Sequence, residues 1–158
     1  RPPRSTLFPY TTLFRSETGV NALVLFNRFF SPDIDIETFK IVPSSLYSTP
    51  NDLPVSLRWI AIMSGRVQCD LAASTGVHNG KAVIKQLLAG ANAVQVASVL
   101  YKNGIPFIQS MLNELDDWMD TMDYTCLDDF KGKRNQLQVG NPAVFERTQF
   151  MKHFSQKF

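Results

Sequence analysis

The strand patterns Asp70 to Ser74 and Ala93 to Val96 each pass into small or hydroxyl residues and then into a helical pattern, with no hairpin signal between them. An earlier run, Ala22-Leu23-Val24-Leu25-Phe26, follows Gly19 and is wholly apolar, the pattern of a strand buried on both faces. Pro32, Pro43, Pro50 and Pro54 punctuate an irregular excursion after it, with Ile34, Ile36 and Phe39-Lys40-Ile41 as a small β element. Leu57, Ile60, Ala61, Met63, Ser64 and Val67 then form one helical stripe, opening near Asn51 or Asp52. Asn79 or Gly80 opens a second helix that turns Val83, Ile84, Leu87 and Leu88 inward and stops at Gly90. After Gly104-Ile105-Pro106 a long amphipathic helix presents Phe107, Ile108, Met111, Leu112, Leu115, Trp118 and Met119 as its inner face. The order β–loop–α–β–α–β–α requires crossover connections and a parallel sheet. An isolated domain with so small a sheet would be unusual. The better physical reading is α/β, the carboxyl-terminal part of a TIM (β/α)8 barrel, with parallel strands and incomplete.

Composition narrows the function classes. A hydrophobic content of 44% in 158 residues argues against disorder, and two cysteines against a disulfide scaffold. No apolar run approaches the roughly 18 residues of a membrane span. The formal charge of +2 misleads. Three of the sixteen basic residues, Arg1, Arg4 and Arg15, lie in the first sixteen positions, which hold no acid, so the remainder carries thirteen basic against fourteen acidic residues. The mild basicity is therefore no argument for a nucleic-acid partner. Residues 1–16 repeat Thr-Leu-Phe around Pro9-Tyr10 without helical or alternating periodicity and lack the features of a secretory signal. The string resembles translated sequencing-adapter sequence. It is expected to be foreign to the fold and little buried, with the fold confined to 17–158 and the chain a fragment.

The chemistry lies where two strands end. In a parallel sheet both ends fall on the carboxyl face, where ligands bind. Gly76 lets backbone amides approach an anion, Ser74, Thr75 and Ser98 add hydroxyl donors, and the following helices add N–H groups. The same small residues also suit a tight strand–helix turn with a polar cap. On the residues alone the two readings stand side by side.

The stretch from Ser74-Thr75-Gly76-Val77-His78 through Gly90-Ala91-Asn92-Ala93-Val94-Gln95-Val96-Ala97-Ser98 to Gly104 resembles the carboxyl-terminal half of dihydroorotate dehydrogenases, those of Bacteroidetes in particular. Leu23-Val24-Leu25-Phe26-Asn27-Arg28-Phe29, the helix around Trp59 and the tail from Asn141 to Arg147 resemble that group too. The resemblance implies a cytoplasmic FMN-dependent oxidoreductase of pyrimidine biosynthesis, acting on a CH–CH bond of a small-molecule dihydropyrimidine such as dihydroorotate. It implies no nucleic-acid or membrane partner, and a homo-oligomer is possible for the full-length parent. It assigns Ser74, Thr75, Gly76, Ala97 and Ser98 to the flavin phosphate and Asn27 to the substrate. Thr75 replaces the first of two glycines usual in the family. Arg28 departs from the usual small or hydroxyl neighbour of the asparagine. The family's catalytic base belongs to the missing half, so no catalytic residue is expected here and the fragment alone should be inactive and unstable or aggregating. A phosphate-binding barrel of another chemistry, an aldolase or isomerase, would use the same loops.

Other chemistry-bearing residues have plainer readings. Cys69 and Cys126 are expected to be structural thiols, His78 to begin a helix and His153 to lie on the surface. Glu114, Asp116, Asp117, Asp120 and Asp123 read as a solvated helix face, Trp59 and Trp118 as core, and no spacing fits a metal site.

Overall fold

A computed structural model describes residues 12, 13, 15–28 and 31–146. Three strands, β1 (Ala22–Leu25), β4 (Asp70–Ala73) and β5 (Ala93–Val94), form a parallel sheet in the order β1-β4-β5, so the second strand of the trio in sequence is its centre. Leu23 pairs with Leu71, Leu25 with Ala73, and Ala73 with Val94. The excursion after β1 holds a short antiparallel pair, β2 (Pro32–Ile34) with β3 (Ile41–Pro43). The Asp35 carboxylate closes its turn by accepting from Glu37 N, Thr38 N and Thr38 Oγ1, which holds the acid below its ordinary pKa.

Four helices follow the strands: α1 (Leu53–Met63), α2 (Gly80–Ala89), α3 (Ser98–Asn103) and α4 (Phe107–Thr121). Asn79 caps α2, its Oδ1 accepting from Ala82 N at 2.9 Å, and Gly90 ends it at φ 109°. Leu25, Ile60, Ala61, Met63, Leu71, Ala73, Ala89 and Ala91 make the core between the sheet and α1. A further cluster of Ile84, Leu87, Leu115 and Phe130 joins α2 to α4, with Trp118 edge-on to Phe130 at 4.9 Å. Both tryptophans pack as expected; Trp59 lies against the first cluster under the Arg58 guanidinium.

The 130–136 segment closes the ends of α1 and α2. Gly132 N donates to Leu87 O, Arg134 N to Leu88 O and Gln136 N to Ala61 O, at 2.8–3.0 Å. Ala61 O and Leu88 O are carbonyls that a helix terminus leaves unpaired, whereas Leu87 O also accepts from Gly90 N at 2.9 Å.

Several expectations need correction. β1 is an edge strand rather than one buried on both faces: Ala22 is exposed and Val24 is 47% exposed. The third strand covers two residues rather than 93–96. On α2, Val83 and Leu88 face the core clusters half-buried, as expected of the stripe, and Ala82 and Gln86 are buried beside Ile84 and Leu87, because the helix packs on both α1 and α4 and its buried surface wraps further round. On α4, Ile108 and Leu112 are exposed. Phe8, Phe14 and His153 lie outside the described residues. Thr12 is buried and Leu13 packs against the first core cluster, so low burial throughout 1–16 does not hold at these two positions. Among the described residues no helix is long and apolar enough to cross a membrane, and no group of His, Cys, Asp and Glu is placed to hold a metal.

Candidate functional site

The carboxyl ends of β1, β4 and β5 open onto one cleft of about 730 Å³. Asn27, Ser74, Thr75, Gly76, Ala97 and Ser98, far apart in sequence, all line it. Parallel pairing is what brings them together, because it puts the residues after each strand on the same face. A smaller cavity of about 250 Å³ adjoins it and shares Asn27, Ser74 and Thr75.

Thr75 and Gly76 both take left-handed backbone, φ 75° and 80°. A β-branched residue is strained there. Its hydroxyl gives some compensation, donating to Phe26 O at 2.9 Å and tying the loop after β4 to the one after β1. Gly76 has a second reason to be glycine. A Cβ there would meet the Leu53 backbone N, with Leu53 Cα at 2.6 Å and the Asp52 carbonyl carbon at 2.8 Å. The close approach that this glycine permits is to the start of α1.

Ser74 N donates to Leu25 O and Gln95 N to Ala73 O, completing the ladder. Beyond it, the main-chain N–H groups of Thr75, Gly76, Ala97 and Ser98 have no protein acceptor among the described residues. The cleft therefore holds a set of unused amides and the hydroxyls of Ser74 and Ser98. Among the described residues no carboxylate lines it. Such a set suits a phosphate or another anion.

Sequence reasoning missed further lining residues: Tyr47 and Ser48 from the excursion, Gln95 after β5 and Tyr101 of α3. Buried Ser48 donates its N–H to Ser98 Oγ at 3.0 Å, and its hydroxyl lies 3.1 Å from His78 Nε2. Lys102 Nζ reaches Ser48 O at 3.5 Å, and Tyr47 packs on Tyr101 with ring centroids 5.7 Å apart. Residues 47–48 are thus strapped to α3 and to the approach of α2. His78 lies ahead of the Asn79 cap rather than beginning the helix; burial, then the Lys102 charge, lower its pKa below the ordinary value. Nothing local in a Pro-interrupted loop marks Ser48; its partners lie thirty and fifty residues away.

Neither cysteine lines the cleft; Cys69 precedes β4 and Cys126 is exposed. Glu114 departs from the solvated reading. Its Oε2 accepts from Lys81 N at 3.3 Å beside Gly80, where α2 and α4 touch.

No protein-family model matches the chain. Its curated homologues are dihydroorotate dehydrogenases, and they cover part of it. One from Saccharomyces bayanus, of the fumarate type, is 33% identical over 72 residues, 46% of this chain and 23% of that protein. The catalytic subunit of an NAD(+)-type enzyme from Thermoplasma volcanium is 30% identical over 115 residues, 71% of this chain and 38% of that protein. A crystal structure of DHODH from Eimeria tenella, in complex with ferulenol, superposes with a TM-score of 0.60 at 21% identity, covering 74% of this chain and 32% of that one. The chain thus spans well under half the length of the relatives it matches.

Proposed function

We propose that residues 17–158 are the carboxyl-terminal part of a (β/α)8 barrel, and that its cleft holds the phosphate of FMN in a dihydroorotate dehydrogenase-type oxidoreductase of pyrimidine biosynthesis. The observation that carries the reading is the convergence of Ser74, Thr75, Gly76, Ala97 and Ser98 on one cleft where, among the described residues, four amides have no acceptor and no acid lines the wall. The homologues favour a flavin over the sugar phosphate of an aldolase or isomerase. The residues fit the group. Amides at 75–76 and 97–98 would donate to phosphate oxygens, and Ser98 Oγ, which accepts from Ser48 N, keeps its proton to donate. Asn27, at the end of β1, would hydrogen-bond a dihydropyrimidine. When bound, the flavin supplies the redox chemistry; this chain's residues bind and orient. The catalytic base is assigned to a part of the enzyme other than these residues.

Gly76 is a poor test position, since any side chain there collides with the α1 backbone. Ala97 is exposed at the mouth of the turn, and Ala97→Asp puts a negative charge beside the proposed phosphate. FMN and riboflavin differ by that phosphate. Equilibrium binding should favour FMN by about tenfold or more in the wild type, the scale of one charge-assisted bond. Ala97→Asp should abolish the preference while leaving riboflavin binding unchanged. Equal binding of the two flavins by the wild type would sink the assignment, and tighter binding of a sugar phosphate than of FMN would favour the other class.

A further inference from the structure

Ser48 has all three of its polar groups engaged, each with a partner distant in sequence. Its N–H donates to Ser98 Oγ at 3.0 Å, its hydroxyl lies 3.1 Å from His78 Nε2, and its carbonyl accepts from Lys102 Nζ at 3.5 Å. Among the described residues, the main chain of 45–48 makes no hydrogen bond to other main chain. Side-chain bonds therefore set where this stretch lies. The one to Lys102 is long and its lysine is exposed, so it restrains little. His78 is the firmer anchor, half-buried in the loop between β4 and α2 and one residue ahead of the Asn79 cap. It does not itself line the cleft.

We propose that His78 is a positioning residue for phosphate binding, acting through Ser48 to fix the Ser98 hydroxyl. The inference rests on the flavin reading, which assigns that hydroxyl to the FMN phosphate. A serine hydroxyl carries one proton and turns about its Cβ–Oγ bond to suit its partners. The Ser48 N–H occupies one lone pair of Ser98 Oγ and so limits where that proton can point. This works only while the Ser48 backbone stays in place. The imidazole holds it there in either ring tautomer, because the Ser48 hydroxyl can donate to Nε2 or accept from it. Releasing Ser48 returns rotational freedom to the Ser98 hydroxyl, which binding must then remove again. The loss falls on recognition of the phosphate and spares the flavin ring.

The test is equilibrium binding of FMN and of riboflavin to the 158-residue chain, read as the ratio of the two affinities. His78→Phe keeps a ring but removes both nitrogens, and should lower the FMN preference about five- to tenfold, the scale of one hydrogen bond. His78→Gln, whose amide can also donate and accept, should stay within about twofold of wild type. Ser98→Ala should lower the preference at least as far as His78→Phe. Combining the two should lower it no further, since the histidine acts through that hydroxyl. An unchanged ratio in His78→Phe overturns the proposal, whether both flavins bind as before or both weaken equally. Additive losses in the double variant overturn it too, as does a loss in His78→Gln as large as in His78→Phe. Where wild type binds FMN and riboflavin alike, ribose 5-phosphate against ribose separates the two readings. A preference for the phosphorylated sugar that His78→Phe lowers sustains the positioning role and removes the flavin reading; no such preference removes both.

Discussion

Gln86 is wholly buried, yet its Oε1 has no hydrogen-bond partner, and its Nε2 makes one long bond of 3.3 Å to Ser56 Oγ. Ser56 does not depend on it, because its hydroxyl donates to Leu25 O at 2.8 Å. An amide buried with an orphaned acceptor costs about 1–3 kcal/mol. Gln86→Leu, similar in volume and free of polar atoms, should therefore leave stability unchanged or raise it by about 1 kcal/mol. Urea unfolding checks this, and a loss of comparable size would mean that the acceptor is satisfied in solution. Gln86 shows why the helical stripe on α2 was incomplete. Periodicity picks out the apolar residues, and Val83 and Leu88 do pack on the core, but a helix packed on two neighbours also buries whatever faces both, a glutamine included. Gly76 was legible as a glycine that a tight loop needs. Its contact with the α1 backbone was not, because that contact joins positions whose proximity only the folded chain creates.

At the scale of elements, the strap from 47–48 to α3 is the feature to probe. His78 sits against it with its pKa lowered, burial first and Lys102 second. Lowering means that the folded state resists protonation more than the unfolded chain does. The sign follows: stability is full above the ordinary histidine value of 6.5, falls as pH drops from there through the lowered value, and is level below it. His78→Gln should flatten that part of the profile, measured as the unfolding midpoint between about pH 7.5 and 5. A profile unchanged by the substitution would detach His78 from the strap. The order of strands and helices was readable because periodicity and caps are local, as with Asn79 and Gly90. The loop residues that complete the site were not, since their partners are set by how the excursion folds back. All six positions assigned to ligands line the cleft, because residues that end parallel strands share a face whatever the intervening loops do.

On the scale of the whole molecule, the sheet has one face against helices and another that is partly open. Val24 pairs with Ala72 and Ala72 with Ala93, so one row of small and branched residues crosses all three strands. Val24 and Ala93 are exposed. Such a row matches the inward layers of a barrel, which read as packed core once closed. Both outer strands also present unpaired edges among the described residues. The chain by itself should therefore associate with rising concentration, and Val24→Lys should weaken that association without lowering the unfolding midpoint. Sedimentation velocity across a concentration series decides it; a monomer at all concentrations would contradict the open face.

The segment at 130–136 has a consequence for how the chain is made. One carbonyl near the end of each helix, Ala61 O of α1 and Leu88 O of α2, is paired by an amide that comes 75 and 46 residues later in the sequence, while their neighbours are paired locally. A polypeptide leaves the ribosome amino end first. During synthesis both helices are therefore complete in sequence but each keeps one carbonyl without its final partner until Arg134 and Gln136 emerge. The emerging chain must keep those two carbonyls solvated while α3 and α4 are added, and their pairing belongs to a loop rather than to any strand or helix.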